Sequence, residues 1–143
     1  MSDTAVSFDC FGTLVFVPRP ENPARDVGAA LADRGVALPE DWVTAYLEAH
    51  VDIPEGGELS LPEHTRQALA SRGVDADEAV VTDAVRTAFD REVTAVPGAA
   101  DALEAIDAPV GVLSNCSVPG MVTETLDRAG LLDTVDTVET SID

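Results

Sequence analysis

A chain of 143 residues with 45% apolar content fits one ordinary domain, or one core with a small insertion, and is too apolar for global disorder. Its 27 acidic residues face 8 basic ones, all of them Arg, giving a formal charge of −19. Such a surface repels phosphates and anionic lipid, so neither nucleic acid nor a membrane is a favoured partner; its self-repulsion reads as adaptation to a salty cytoplasm, where charges are screened beyond about 10 Å at 0.1 M salt and closer still above it.

Met1-Ser2-Asp3-Thr4 has neither the basic start nor the apolar stretch of a secretion signal. No run approaches the ~20 apolar residues of a membrane span, so a cytoplasmic protein is expected. Thr4 to Phe8 form a short apolar run stopped by Asp9 and Gly12, the pattern of a buried strand. Pro18, Pro20 and Pro23 then break the chain, and from there to about Glu92 the periodicity is helical. The first helix is predicted over Ala24–Arg34, with Pro23 in its first turn and Gly35 at its end. A second starts after Pro39 and carries Val43, Tyr46, Leu47 and His50 at helical spacing. Pro54 to Glu58 is a loop, and Pro62 and Gly73 bracket a third helix. The fourth opens on Asp75 and Glu78 as a capping pair and shows the stripe Val81, Ala84, Val85, Ala88 and Phe89.

At Val96-Pro97-Gly98 the texture changes. A short helix over Ala99 to Ile106 leads into a second buried strand, Pro109 to Leu113, which stops at Ser114. Pro119 opens another helix ended by Gly130, and Thr134 to Thr140 form a third strand. Strands alternating with helices predict an α/β protein with a parallel sheet, and the four-helix block is an inserted cap. The expected division is a core of residues 1–17 and 93–143 and a cap of residues 18–92.

Ligands of parallel α/β sheets bind beyond the carboxyl ends of the strands. Two such ends carry polar signatures, Asp9-Cys10-Phe11-Gly12-Thr13-Leu14 and Leu113-Ser114-Asn115-Cys116-Ser117. A carboxylate at a strand tip can act as a covalent nucleophile. Gly12 lets the backbone turn so that amides lie near an attacked anion, and Ser114 and Asn115 can hold the anionic part of a substrate. As plain structure, Asp9 would be a turn or capping residue, and Ser114-Asn115 turn chemistry before the Pro119 helix. Cys10 and Cys116 are too few for a disulfide framework; a redox switch competes with the plainer reading of two reduced, small apolar side chains. His50 and His64, the only histidines, lie far from both in sequence, which argues against a zinc site.

Phe8-Asp9-x-Phe11-Gly12-Thr13-Leu14 resembles the first motif of the haloacid dehalogenase superfamily, and Leu113-Ser114-Asn115 resembles its second. Pro97-Gly98 is similar to the family's usual return into the core, and the insertion between the motifs matches a helical cap in size and position. The resemblance covers nearly the whole chain. It implies an incomplete doubly wound, Rossmann-like parallel sheet with an inserted α-helical cap. It further implies that Asp9 attacks the substrate and becomes esterified, that Thr13 stabilises the loop, and that Phe11, Gly12, Ser114 and Asn115 bind the substrate. The implied substrate is a small organic acid or ester.

Departures from the family sharpen these expectations. Phosphatases of the superfamily carry a second Asp two residues after the nucleophile as general acid and base, where this chain has Phe11. A phenyl ring cannot protonate an alkoxide, whereas halide leaves without a proton. The form therefore resembles the 2-haloacid dehalogenase branch, which needs no cofactor. The alternatives are a Mg²⁺-dependent phosphatase, with Asp9 and the Phe11 carbonyl on the metal, and an inactive remnant or interaction module. The branch uses a cap arginine, for which Arg19 and Arg25 are the nearest candidates against a reading as surface charge. The family's third motif, a Lys or Arg after the third strand, and its fourth, acidic, motif are missing before Asp143, so the chain is expected to be truncated. Arg128 lies before the third strand and does not fit the cation's role. Unshielded like charges at ~4 Å cost about 4 kcal/mol at an effective dielectric near 20, roughly a thousandfold in rate. The Asp9 strand then becomes an open apolar edge, so dimerisation or aggregation is expected.

Overall fold

The computed structural model describes residues 4–50 and 58–142. The chain divides into two compact units, residues 1–18 with 91–143, and residues 19–90. The loop expected from Pro54 falls outside the described residues up to its last member, Glu58.

The first unit is built on strands β1 (Val6–Phe8), β4 (Val110–Ser114) and β5 (Thr137–Thr140), all parallel, in the order β1-β4-β5. Val6 pairs with Val110 and Phe8 with Val112, while Val112 pairs with Val138 and Ser114 with Thr140. Helix α5 (Ala99–Glu104) precedes β4, and α6 (Met121–Arg128) links β4 to β5. Parallel strands need such crossovers, and they bury apolar strand faces. Val110 and Val112 are accordingly buried, along with Val122 and Leu126 of α6. Each fully buried Val or Leu contributes about 1.5–3 kcal/mol. Gly111 lets β5 sit close, because an added Cβ would lie 2.9 Å from Thr137 Oγ1.

Two features depart from the sequence expectations in this unit. Strands β2 (Val15–Phe16) and β3 (Thr94–Ala95) form a small antiparallel pair that two-residue segments do not announce by alternation. The third strand begins at Thr137 rather than Thr134, because Leu132–Thr134 is a 3₁₀ turn in which the Thr134 hydroxyl donates to the Leu131 carbonyl at 2.6 Å.

The second unit holds α1 (Pro23–Asp33), α2 (Trp42–Leu47), α3 (Leu61–Ala70) and α4 (Glu78–Ala88). Asn22 caps α1 by accepting from the Arg25 amide at 3.2 Å, Pro23 opens it, and Gly35 at φ +82° follows its end. α1 packs on α4 and α2, and α3 packs on α2 and α4. The buried faces are Ala24, Val27, Ala30 and Leu31 on α1 and Val81, Ala84, Val85 and Ala88 on α4. Arg34 fastens the end of α1 to α4, with Nε 2.9 Å from Asp83 Oδ2 and Nη2 donating to Thr87 Oγ1 at 2.8 Å.

Two expectations are corrected here. The cap of α4 is Asp77, whose carboxylate accepts from the Ala79 amide at 2.9 Å, so Asp75 and Glu78 do not form the capping pair. On α2 the buried face is Trp42 and Ala45, leaving Val43 and Leu47 exposed and His50 beyond the helix end. The Trp42 indole decides this: its Nε1 donates to the Ala24 carbonyl at 2.8 Å and turns the helix toward α1.

Candidate active site

The carboxyl ends of β1, β4 and β5 open onto a cleft of about 430 Å³ lined by Asp9, Leu113, Ser114, Asn115, Glu139, Thr140 and Ser141. Topology places them together. β4 lies between the other two strands in one parallel sheet, so all three carboxyl ends emerge on the same edge.

Asp9 is exposed, directly after β1. Its Oδ1 accepts the Cys10 amide at 2.9 Å, and Oδ2 takes no hydrogen bond among the described residues. Behind it the chain turns tightly. The Cys10 carbonyl accepts from the amides of Thr13, Leu14 and Val15 at 3.3, 2.9 and 3.2 Å, and Gly12 adopts φ +80° while donating to the Val15 carbonyl at 2.8 Å. That left-handed conformation costs a residue bearing Cβ roughly 1–2 kcal/mol. Thr13 is exposed on this turn and Phe11 half-buried in it; neither lines the cleft.

Ser114 closes β4 as a residue only 6% exposed, its Oγ without a hydrogen-bond partner. An unsatisfied buried hydroxyl costs about 1–3 kcal/mol, which makes this atom the strongest sign of a ligand position in the cleft. Asn115 is exposed beside it. Ser141 fixes this segment from the end of β5. Its amide donates to the Ser114 carbonyl at 3.2 Å, its Oγ accepts the Cys116 amide at 3.1 Å, and its hydroxyl lies 3.3 Å from the Cys116 carbonyl.

Glu139, Thr140 and Ser141 were not singled out in the sequence, although the third strand was. The rule that drew attention to the first two strand tips applies equally to this one. Among the described residues the cleft lining contains two carboxylates, Asp9 and Glu139, and no cation. Arg128 lies on α6, with Nη2 donating to the Arg91 carbonyl at 3.2 Å. Arg19 and Arg25 belong to the other unit and are exposed. Burial, with Asp9 and Cys116 adding to it, pushes the Cys10 thiol up to about 12. It therefore stays protonated at neutral pH, which fits the plain apolar role better than a redox switch.

No protein-family model matches the chain, and no curated protein matches it significantly. Among solved structures it is similar to an L-2-haloacid dehalogenase from Xanthobacter autotrophicus, at 27% identity over 95% of this chain, with a TM-score of 0.46. The same values hold for that enzyme with chloropropionic acid covalently bound. A further dehalogenase, described in an intermediate complex, is similar at 18% identity over 97% of this chain and 64% of its own, with a TM-score of 0.43. The chain spans 56% of the length of the Xanthobacter enzyme.

Proposed function

We propose that this chain carries the nucleophile side of a hydrolase of the haloacid dehalogenase superfamily, acting on small 2-halo acids through Asp9. One observation carries the reading: a carboxylate with a free oxygen and a buried hydroxyl without a partner share one cleft at the carboxyl ends of parallel strands. The Cys10 amide holds Oδ1, which leaves Oδ2 to attack. Oδ2 forms a bond to the carbon bearing halogen, the carbon–halogen bond breaks, and halide leaves with the electron pair. Water then adds to the Asp9 ester carbonyl, and its collapse returns the carboxylate and releases the hydroxy acid. Ser114 Oγ and the Asn115 amide are the donors for the departing halide or the substrate carboxylate. Phe11 at the general-acid position suits a leaving group that needs no proton.

One observation favours a second reading. Glu139 adds a second carboxylate to the cleft, and one or two carboxylates with water are an ordinary Mg²⁺ set. In a phosphatase, Asp9 with Glu139 would hold the ion, which would neutralise phosphoryl oxygens.

Both readings are tested by incubating the protein with 2-halo acids and with phosphomonoesters, with and without Mg²⁺, and following halide, phosphate and intact mass. The expected result is halide release with an alkyl adduct on Asp9 and no turnover by Asp9→Asn. Phosphate release that requires Mg²⁺, without halide release, would select the second reading. Undiminished turnover by D9N would remove both.

A further inference from the structure

The histidines of the 19–90 unit take no part in that chemistry. His64 lies on α3, and His50 follows the end of α2. Nε2 of His50 is 2.7 Å from the Ala45 carbonyl oxygen, and Nε2 of His64 is 2.6 Å from that of Tyr46. A carbonyl only accepts, so each Nε2 carries the proton and each neutral ring keeps a lone pair on Nδ1. Neither Nδ1 is hydrogen-bonded among the described residues. The ring centroids are 5.8 Å apart with planes at 42°. Tyr46 meets His64 edge-on at 5.5 Å and lies 5.7 Å from Trp42, so the pair is backed by an anchored aromatic wall.

We propose that His50 and His64 form a site for a borderline divalent metal ion, of the class of Zn²⁺, Ni²⁺ or Cu²⁺, bound through the two Nδ1 atoms. Three observations converge. Imidazoles that bind metal donate their other N–H to a backbone carbonyl or carboxylate, which fixes tautomer and ring orientation, and both rings are already held this way. Two imidazoles sharing an ion at ~2.1 Å have ring centres roughly 5 to 6 Å apart, and the observed spacing lies in that range. Glu48 interacts electrostatically with His50 and adds negative potential. Its two oxygens are engaged by Arg72 at 3.0 and 3.1 Å, so it is not itself a ligand. Among the described residues no three His, Cys, Asp or Glu side chains gather as a metal cluster, so water completes the coordination. Imidazole nitrogen suits Zn, Cu and Ni, whereas Mg²⁺ takes oxygen, so this site is chemically distinct from any Mg²⁺ at Asp9.

The test titrates the whole chain with Zn²⁺, Ni²⁺ and Cu²⁺ by calorimetry, with imidazole ¹⁵N spectra followed during the Zn²⁺ titration. One ion per chain is expected, with both Nδ1 resonances shifting together. His64→Gln keeps an amide donor for the Tyr46 carbonyl, and Trp42 fluorescence checks that its fold is retained. That variant and His50→Gln should each weaken binding about tenfold or more. Unchanged affinity in both folded variants would overturn the site. So would absence of binding, uptake of the ion at Cys10 or Cys116 while both Nδ1 resonances stay put, or a response of the two imidazoles to phosphate alone.

Discussion

Ser114 shows at the scale of one atom how a site is held ready. Its Oγ is buried without a partner, so the folded protein bears the cost of an unmade hydrogen bond. Ser114→Ala removes that cost along with the donor. The variant is expected to be more stable by about 1 kcal/mol, measured by urea unfolding in molar salt. On the function proposed above, its kcat/KM for halo acids is expected to fall about a hundredfold, the usual loss on removing one positioned donor. A loss of stability would mean that the hydroxyl serves the fold. Asp9, Ser114 and Asn115 were legible in the sequence because each follows an apolar run that stops abruptly. Glu139 and Ser141 were not, because the Thr-rich third strand has no such sharp end, and the hydrogen bonds from Ser141 to Ser114 and Cys116 join residues about 25 positions apart.

Among the elements, the α1–α2 contact depends on a missing side chain. A Cβ on Gly28 would lie 2.7 Å from Trp42 Nε1 and 2.8 Å from its Cδ1. The indole would have to leave, breaking its hydrogen bond to the Ala24 carbonyl. Gly28→Ala is therefore expected to cost about 2 kcal/mol even though alanine is the better helix former, with the shift visible in the fluorescence of the single tryptophan. An unchanged unfolding midpoint and emission would show that the contact can relax freely. Helix positions were readable because local signals set them, such as Pro23 and Pro62 in the first turns and Gly35 and Gly73 after the ends. The face of α2 was not, since Val43 and Leu47 are apolar but exposed, and a single distant carbonyl orients the helix. β2 and β3 escaped for a related reason: each is only two residues long and exists because the other is there.

Over the whole molecule, charge sets the conditions of stability. With −19 on 143 residues, repulsion among carboxylates opposes compactness until salt screens it. The unfolding midpoint is expected to rise steadily between 0.1 and 2 M KCl; a midpoint independent of salt would contradict this account. The local Arg72 pairs with Asp41 and Glu48 move the other way, since they are exposed and weaken as salt rises. The overall gain therefore comes from relief of repulsion, and the ion pairs contribute little to it.

The pairing of Val6 with Val110 carries a consequence for synthesis. The strand that leads into Asp9 leaves the ribosome well before the strand it needs as a neighbour, which lies about a hundred residues further along the chain. At 5–20 residues per second, that is a wait on the order of 5–20 s. The helices made in the interval can fold from local contacts, whereas the Asp9 cleft cannot assemble until β4 and β5 have also emerged.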